Sequence, residues 1–205
     1  MVTRSASNSF ARGFSLPELL LASAIGLVMA AALMQTLVVT QKSLTSQIKQ
    51  LYLRQSLADV LRYLTDDIRR AGYSGSNNKT VTIKGSSPLL IKPDGELNYL
   101  YQSEQGFMVS AVKYNSNKGK LLMCSAERNT IPASGFCKQF FSLLDDKQVH
   151  LKSFQVVQKE LSSQPLIYLT TLTLTAELAS GSEPVTLTST LFVRNQRNRL
   201  SGQSQ

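Results

Sequence analysis

The sequence predicts an α+β fold: one long N-terminal helix whose C-terminal half packs on an antiparallel β-sheet domain. Three observations lead there. An uncharged apolar run occupies Leu19 to Val39. A helical period continues beyond it, and no glycine or proline interrupts Leu27 to Ala71. Past Ser74 the pattern changes to short segments of period two, separated by Gly and Asn, as in an α+β arrangement.

The apolar run is about 21 residues, or roughly 32 Å as a helix, close to the roughly 30 Å hydrocarbon core of a bilayer. One acid, Glu18, stands at its edge, directly after Pro17. A charge at such a place is costly and usually needs a partner. Three readings compete. The first is a cleaved secretory signal, with Arg4 and Arg12 as its basic region and Ala30 to Ala32 as a small-residue cut site. The second is an uncleaved signal anchor. In the third, a leader is removed on the cytoplasmic side, and the apolar helix stays on the mature protein. The run is longer than the roughly 7–15 residues of a signal-peptide core, and helical periodicity continues past the would-be cut.

The stretch Gly13-Phe14-Ser15-Leu16-Pro17-Glu18-Leu19-Leu20 resembles the leader junction of type IV pilins and pseudopilins. The resemblance implies cleavage between Gly13 and Phe14 by a prepilin peptidase and N-methylation of Phe14. It also makes Glu18 the fifth mature residue, an acid in contact with a neighbouring subunit during assembly. Pro17 departs from the commoner aliphatic residue but fits the first turn of a helix, where amides have no intrahelical partner.

After Val39 the helix becomes amphipathic. Leu44, Ile48, Leu51, Leu57, Leu61, Leu64, Ile68 and Ala71 recur largely at three- and four-residue steps, with Lys42, Lys49, Arg54, Arg62 and Asp66 on the other sides. One helix from Phe14 to Ala71 would be about 87 Å long. Arg69 and Arg70 suit its C-terminal dipole, and Gly72 is a natural stop. Ala22, Gly26 and Ala30 form a small-residue row that permits close helix packing or merely reflects membrane-helix composition.

Arg70-Ala71-Gly72-Tyr73, within Asp66 to Gly75, is similar to the helix-end element of minor pilins of the PilW kind, the group that includes prepilin peptidase-dependent protein B. Together the two motifs cover about the first third of the chain.

The β-type segments are Thr80 to Lys84, Leu97 to Tyr101, Phe107 to Tyr114, Lys120 to Cys124, Val149 to Val157, Leu166 to Leu178 and Val185 to Val193. In the sixth, Leu166, Tyr168, Leu172, Leu174, Ala176 and Leu178 share one face, and Thr171, Thr173, Thr175 and Glu177 the other. In the last, Val185, Leu187, Leu191 and Val193 share a face. These two segments read as a hairpin. The resulting division is a leader, 1–13; a long helix, 14–72, with a transmembrane or filament-core part, 14–39, and an amphipathic part, 40–72; a periplasmic β-rich domain, 73–195; and a loose tail, 196–205.

The chain carries 22 Lys and Arg against 13 Asp and Glu, a net charge of +9. Without Arg4 and Arg12 of the leader, the mature chain is +7. Basic residues ahead of the span place the N-terminus in the cytoplasm and the remainder in the periplasm. The other cations are scattered, with no run longer than Arg69-Arg70, which argues against a nucleic-acid site. Cys124 and Cys137 are the only cysteines, and His150 is the only histidine. They cannot supply the four ligands of a structural zinc. In an exported domain the two cysteines predict a disulfide, with two buried free thiols as the alternative.

No enzyme chemistry is expected. There is no phosphate-binding glycine loop, His-Glu-x-x-His or Gly-x-Ser-x-Gly element. The pairs Asp66-Asp67 and Asp145-Asp146 read as solvated charge, and His150 as a surface or packed histidine. No cofactor or metal is expected. The resemblance implies a minor type IV pilin, processed by prepilin peptidase and incorporated into, or priming, type IV pili. Its partners would be other minor and major pilins, the prepilin peptidase, the inner-membrane assembly platform and membrane lipid. It would be a single-pass inner-membrane protein, reaching the cell surface in the pilus. A minor pseudopilin of a type II secretion system shares the leader and helix. An exported soluble binding module, engaging DNA through its positive charge, is a reading of a different class.

Overall fold

A helix can leave its apolar side chains bare only if something outside the chain covers them, and the first element of this protein does so over most of its length. A computed structural model describes residues 15–75, 80–83, 87–131, 139–163 and 166–195. The leader, Phe14, Cys137 and the tail 196–205 lie outside the described residues. The first element, α1, is Leu16–Ile68. The chain divides into two units, Met1–Ile48 and Lys49–Gln205, and α1 contributes to both.

In the first unit every described residue is exposed, including the leucines, valines and methionines from Leu19 to Val39. By length and composition α1 can cross a membrane. The hydroxyls of its apolar half from Leu19 to Thr40 are satisfied within the helix. Ser23 donates to the Leu20 carbonyl at 2.9 Å, Thr36 to Leu33 at 2.7 Å and Thr40 to Thr36 at 2.8 Å. Such back-bonding lets hydroxyls sit in an apolar medium that offers no water.

In the second unit α1 buries Leu53, Leu57, Val60, Leu61, Leu64, Thr65 and Ile68. Leu44, Ile48 and Leu51, expected in the same stripe, are instead 51%, 64% and 65% exposed. The reason is geometric. Leu51 and Leu53 are roughly 200° apart around a helix, so the sheet-facing stripe that begins at Leu53 turns Leu51 outward.

The strands are β1 (Leu89–Ile91), β2 (Leu97–Gln102), β3 (Phe107–Asn115), β4 (Lys120–Arg128), β5 (Phe141–Ser142), β6 (Val149–Ser163), β7 (Leu166–Leu178) and β8 (Val185–Phe192). They form the expected antiparallel β domain as two sheets, β1-β2-β3-β4-β5 and β6-β7-β8. The expected strand at Thr80 to Lys84 is not formed among the described residues. Only an isolated bridge joins Ile83 to Ser87. Strands β1 and β5 are too short to show a period, and β4 runs on to Arg128 through polar residues paired with β3.

Leu97, Tyr99, Val112, Leu121 and Met123 of the larger sheet face the main core with α1, and Leu172, Leu174, Ala176 and Leu191 of the smaller sheet join them. The larger sheet is covered on its other face too, where Leu100, Val109 and Ala111 pack with Ile83. From Thr170 onward β7 alternates as its sequence predicts, and so does β8. Outward threonines of β7 meet those of β8 in a ladder: Thr171–Thr190 at 3.4 Å, Thr173–Thr188 at 3.2 Å and Thr175–Thr186 at 2.9 Å. The two sheets are joined where the Leu151 amide donates to the Gly119 carbonyl at 2.8 Å and the Tyr114 hydroxyl to the Lys152 carbonyl at 2.8 Å.

Candidate functional site

The N-terminal end of α1 carries the first group of expected site residues. The Ser15 carbonyl accepts the amides of Glu18 at 3.0 Å and Leu19 at 3.2 Å. Pro17 therefore falls in the first turn, where its missing N–H costs nothing. Glu18 is in the same turn, at the positive end of the helix dipole. Gly13 and Phe14 lie outside the described residues. Gly26 has no atom near where a Cβ would stand, so the Ala22–Gly26–Ala30 row is open to a neighbouring helix.

The C-terminal end of α1 carries the second. Its last turns tighten: the Arg70 and Ala71 amides bond carbonyls three residues back, Asp67 and Ile68, at 3.1 and 2.9 Å. The Gly72 amide then leaves the helix for the Leu100 carbonyl of β2, at 2.8 Å. Gly72 takes φ +80°, and a Cβ there would meet Asn195 Cβ and Pro88 Cβ at 2.9 Å. Only glycine fits both the conformation and the space. The Val81 amide bonds the Gly72 carbonyl, and the Gln102 amide bonds that of Tyr73 at 2.7 Å. The Arg70 to Tyr73 element is thus a suture between helix and sheet.

Beneath it lies a polar cluster that sequence reasoning missed. Asp67 accepts the Tyr99 hydroxyl at 2.6 Å and the Tyr101 hydroxyl at 2.9 Å. The reading of Asp67 as solvated charge is corrected: it is half-buried and doubly bonded. Burial, followed by the Asp67 charge and its hydrogen bond, holds the Tyr99 phenol well above its ordinary range. The same causes in the same order push Tyr101 up to about 12. Both stay neutral donors at physiological pH. Tyr99 and Tyr101 stand two apart on one strand, hence on one face. That spacing was the available signal.

Asp66, by contrast, is exposed and pairs with Arg69 at 3.3 Å. Asp146 is also more than solvated charge. It accepts Lys120 and, at 2.5 Å, the Ser142 hydroxyl. Partial burial raises its carboxyl, but these hydrogen bonds and the lysine charge outweigh that and hold it below its ordinary value. His150 is exposed. Cys124 is buried on β4 and is not a free thiol. Its register partner is Ala111 of the second, outer core. Cys137 lies outside the described residues. Among the described residues, no group of three or more His, Cys, Asp or Glu could hold a metal ion. A cleft of about 850 Å³ beside the suture is lined by Arg69, Arg70, Tyr73, Tyr101 and Arg194.

A family model, prepilin peptidase-dependent protein B, matches residues 46–194. The chain belongs to the prepilin peptidase-dependent protein B family. The matched region spans most of the chain and contains the whole helix-to-sheet suture, with Asp67, Tyr99 and Tyr101. It begins after the apolar half of α1, so the Gly13–Glu18 junction lies outside it. Membership of the prepilin peptidase-dependent protein B family therefore rests on residues 46–194, independently of the leader motif. No curated protein and no solved structure matches the chain.

Proposed function

We propose that this chain is a minor type IV pilin. Prepilin peptidase cuts it between Gly13 and Phe14, and Phe14 is N-methylated. α1 then holds it in the inner membrane, N-terminus cytoplasmic and β-rich domain periplasmic. From there it joins other minor and major pilins at the inner-membrane assembly platform, entering the pilus or priming its assembly. The chain is a substrate and a structural subunit, not an enzyme.

The observation that carries this reading is the combination, on one helix, of a wholly uncovered apolar half with an acid in its first turn. Membership of a prepilin peptidase-dependent family supports it. In an apolar filament core an unpaired carboxylate would be strongly unfavourable. Pairing of Glu18 with the amino group of Phe14 on a neighbouring subunit removes that cost and sets the axial register. We further infer a Cys124–Cys137 disulfide: Cys124 is not free, and the chain has one other cysteine.

Glu18→Val is the test of the assembly role. The variant should still be inserted and cleaved but fail to enter pili. Normal incorporation with an intact partner set would remove Glu18 from the mechanism.

A further inference from the structure

Every open sheet has two edges, and proteins normally blunt them against unwanted pairing. Among the described residues this protein has four. The larger sheet ends in β1, three residues long, and β5, two residues long. Both are too short to template a partner. β6 is long, but it carries Lys152, Lys159 and Glu160 and two register shifts, at Leu151/Ser153 and Glu160/Ser162. β8 has none of these devices. Its eight residues, Val-Thr-Leu-Thr-Ser-Thr-Leu-Phe, include no charge and no proline, and its register with β7 is unbroken from Val185 to Phe192. The threonine ladder adds cross-strand pairs that hold β8 in register on β7.

The β8 edge also adjoins a built groove. A cleft of about 490 Å³ lies between the C-terminal half of α1 and β8, walled by Leu61, Arg62 and Thr65 on one side and Leu187, Thr188 and Ser189 on the other. The Thr65 and Ser189 hydroxyls bond across it at 2.9 Å. Asp66 and Arg69 also line the groove and pair with each other at 3.3 Å, which leaves Arg62 as its unbalanced charge. Arg62 is exposed and has no ion pair among the described residues.

We propose that the free edge of β8 receives an extended acidic segment of a different polypeptide, which becomes the fourth strand of the smaller sheet. Main-chain hydrogen bonds to β8 supply the attachment. Alternate side chains of the added strand fall on the threonine-ladder face and in the α1–β8 groove, where an acid meets Arg62. Charge decides the occupant. A second copy would bring its own net charge of +9, and β8 carries no acid to offer Arg62. A partner strand with a carboxylate on its groove side meets both demands. The proposal does not depend on leader cleavage or on Glu18.

The experiment uses the full chain in detergent micelles and a synthetic peptide, Glu-Val-Thr-Val-Glu-Val-Thr-Val, with its Lys-for-Glu counterpart as control. Residue-resolved hydrogen exchange reports which amides the peptide protects. The acidic peptide should slow the outward-facing amides of β8 and leave β1 and β6 unchanged. It should bind at least about threefold more tightly than the lysine peptide, the scale of one exposed charge pair. Arg62→Glu should reverse that order. Thr188→Pro should abolish the protection. Because that variant could fail to fold, the Arg62→Glu reversal, on a chain whose circular dichroism is unchanged, carries the test by itself. Four results would each overturn the proposal: unchanged β8 exchange with peptide, no preference for the acidic peptide, dimerisation of the chain through β8, or outward β8 amides already protected in the free chain by another of its segments.

Discussion

The Asp67 carboxylate, in the last turn of α1, accepts a 2.6 Å hydrogen bond from the buried hydroxyl of Tyr99, 32 positions along the chain. With the second bond from Tyr101 at 2.9 Å, it clamps the end of the helix to β2 of the larger sheet. Asp67→Ala leaves the Tyr99 hydroxyl buried without this acceptor, and should cost about 1–3 kcal/mol. Tyr99→Phe leaves Asp67 still bonded to Tyr101, and should cost less, about 1 kcal/mol. Urea unfolding of the two single variants and the double variant should give a coupling energy different from zero.

The same clamp predicts a loss of stability at high pH. A phenol whose folded pKa is raised binds its proton more tightly in the folded state than in the unfolded state. Its contribution is fully present below the unfolded value of 10.0 and is lost as pH rises through the folded value, about 12 for Tyr101. The urea midpoint of the protein should fall across that window, and Tyr101→Phe should flatten part of the fall.

Gly72→Ala should destabilise by about 1–3 kcal/mol from its left-handed backbone alone. Further loss comes from contact with Asn195 and Pro88, each at 2.9 Å from the new methyl group. Gly95→Ala, at φ +79° with nothing within 4 Å of the added methyl group, carries the backbone cost alone and serves as the control. Thermal unfolding followed by circular dichroism checks both.

Reduction, or Cys137→Ser, should lower stability by about 3 kcal/mol if the bridge closes the loop between Cys124 and Cys137, the value for a loop of this order in the chain-entropy model. A thiol assay on the unreduced protein should find no free thiol. Two titratable thiols would contradict the pairing.

Much of this architecture was legible before any coordinates. The uninterrupted period from Leu27 to Ala71 made the helix, and the alternating threonines of Leu166 to Leu178 made the hairpin, because each pattern is long enough to dominate local noise. Gly72 was legible as a stop, though not the crowding that requires it. The buried stripe was misplaced by one face at Leu51. Helical spacing alone does not say where along a helix a sheet begins to cover it, and both Leu51 and Leu53 satisfy the period. β1 and β5 escaped notice because two or three residues carry no period. Asp67 escaped because its partners, Tyr99 and Tyr101, are remote in sequence and an acid beside another acid looks like solvated charge.

In the proposed function the apolar helix begins at a processed Phe14 and remains on the mature protein. Mass spectrometry of the N-terminal peptide of the purified protein tests it most directly. The expected result is a chain that starts at N-methyl-Phe14. A chain that starts near Leu33, cut by an ordinary signal peptidase, or one that retains Met1, would contradict it.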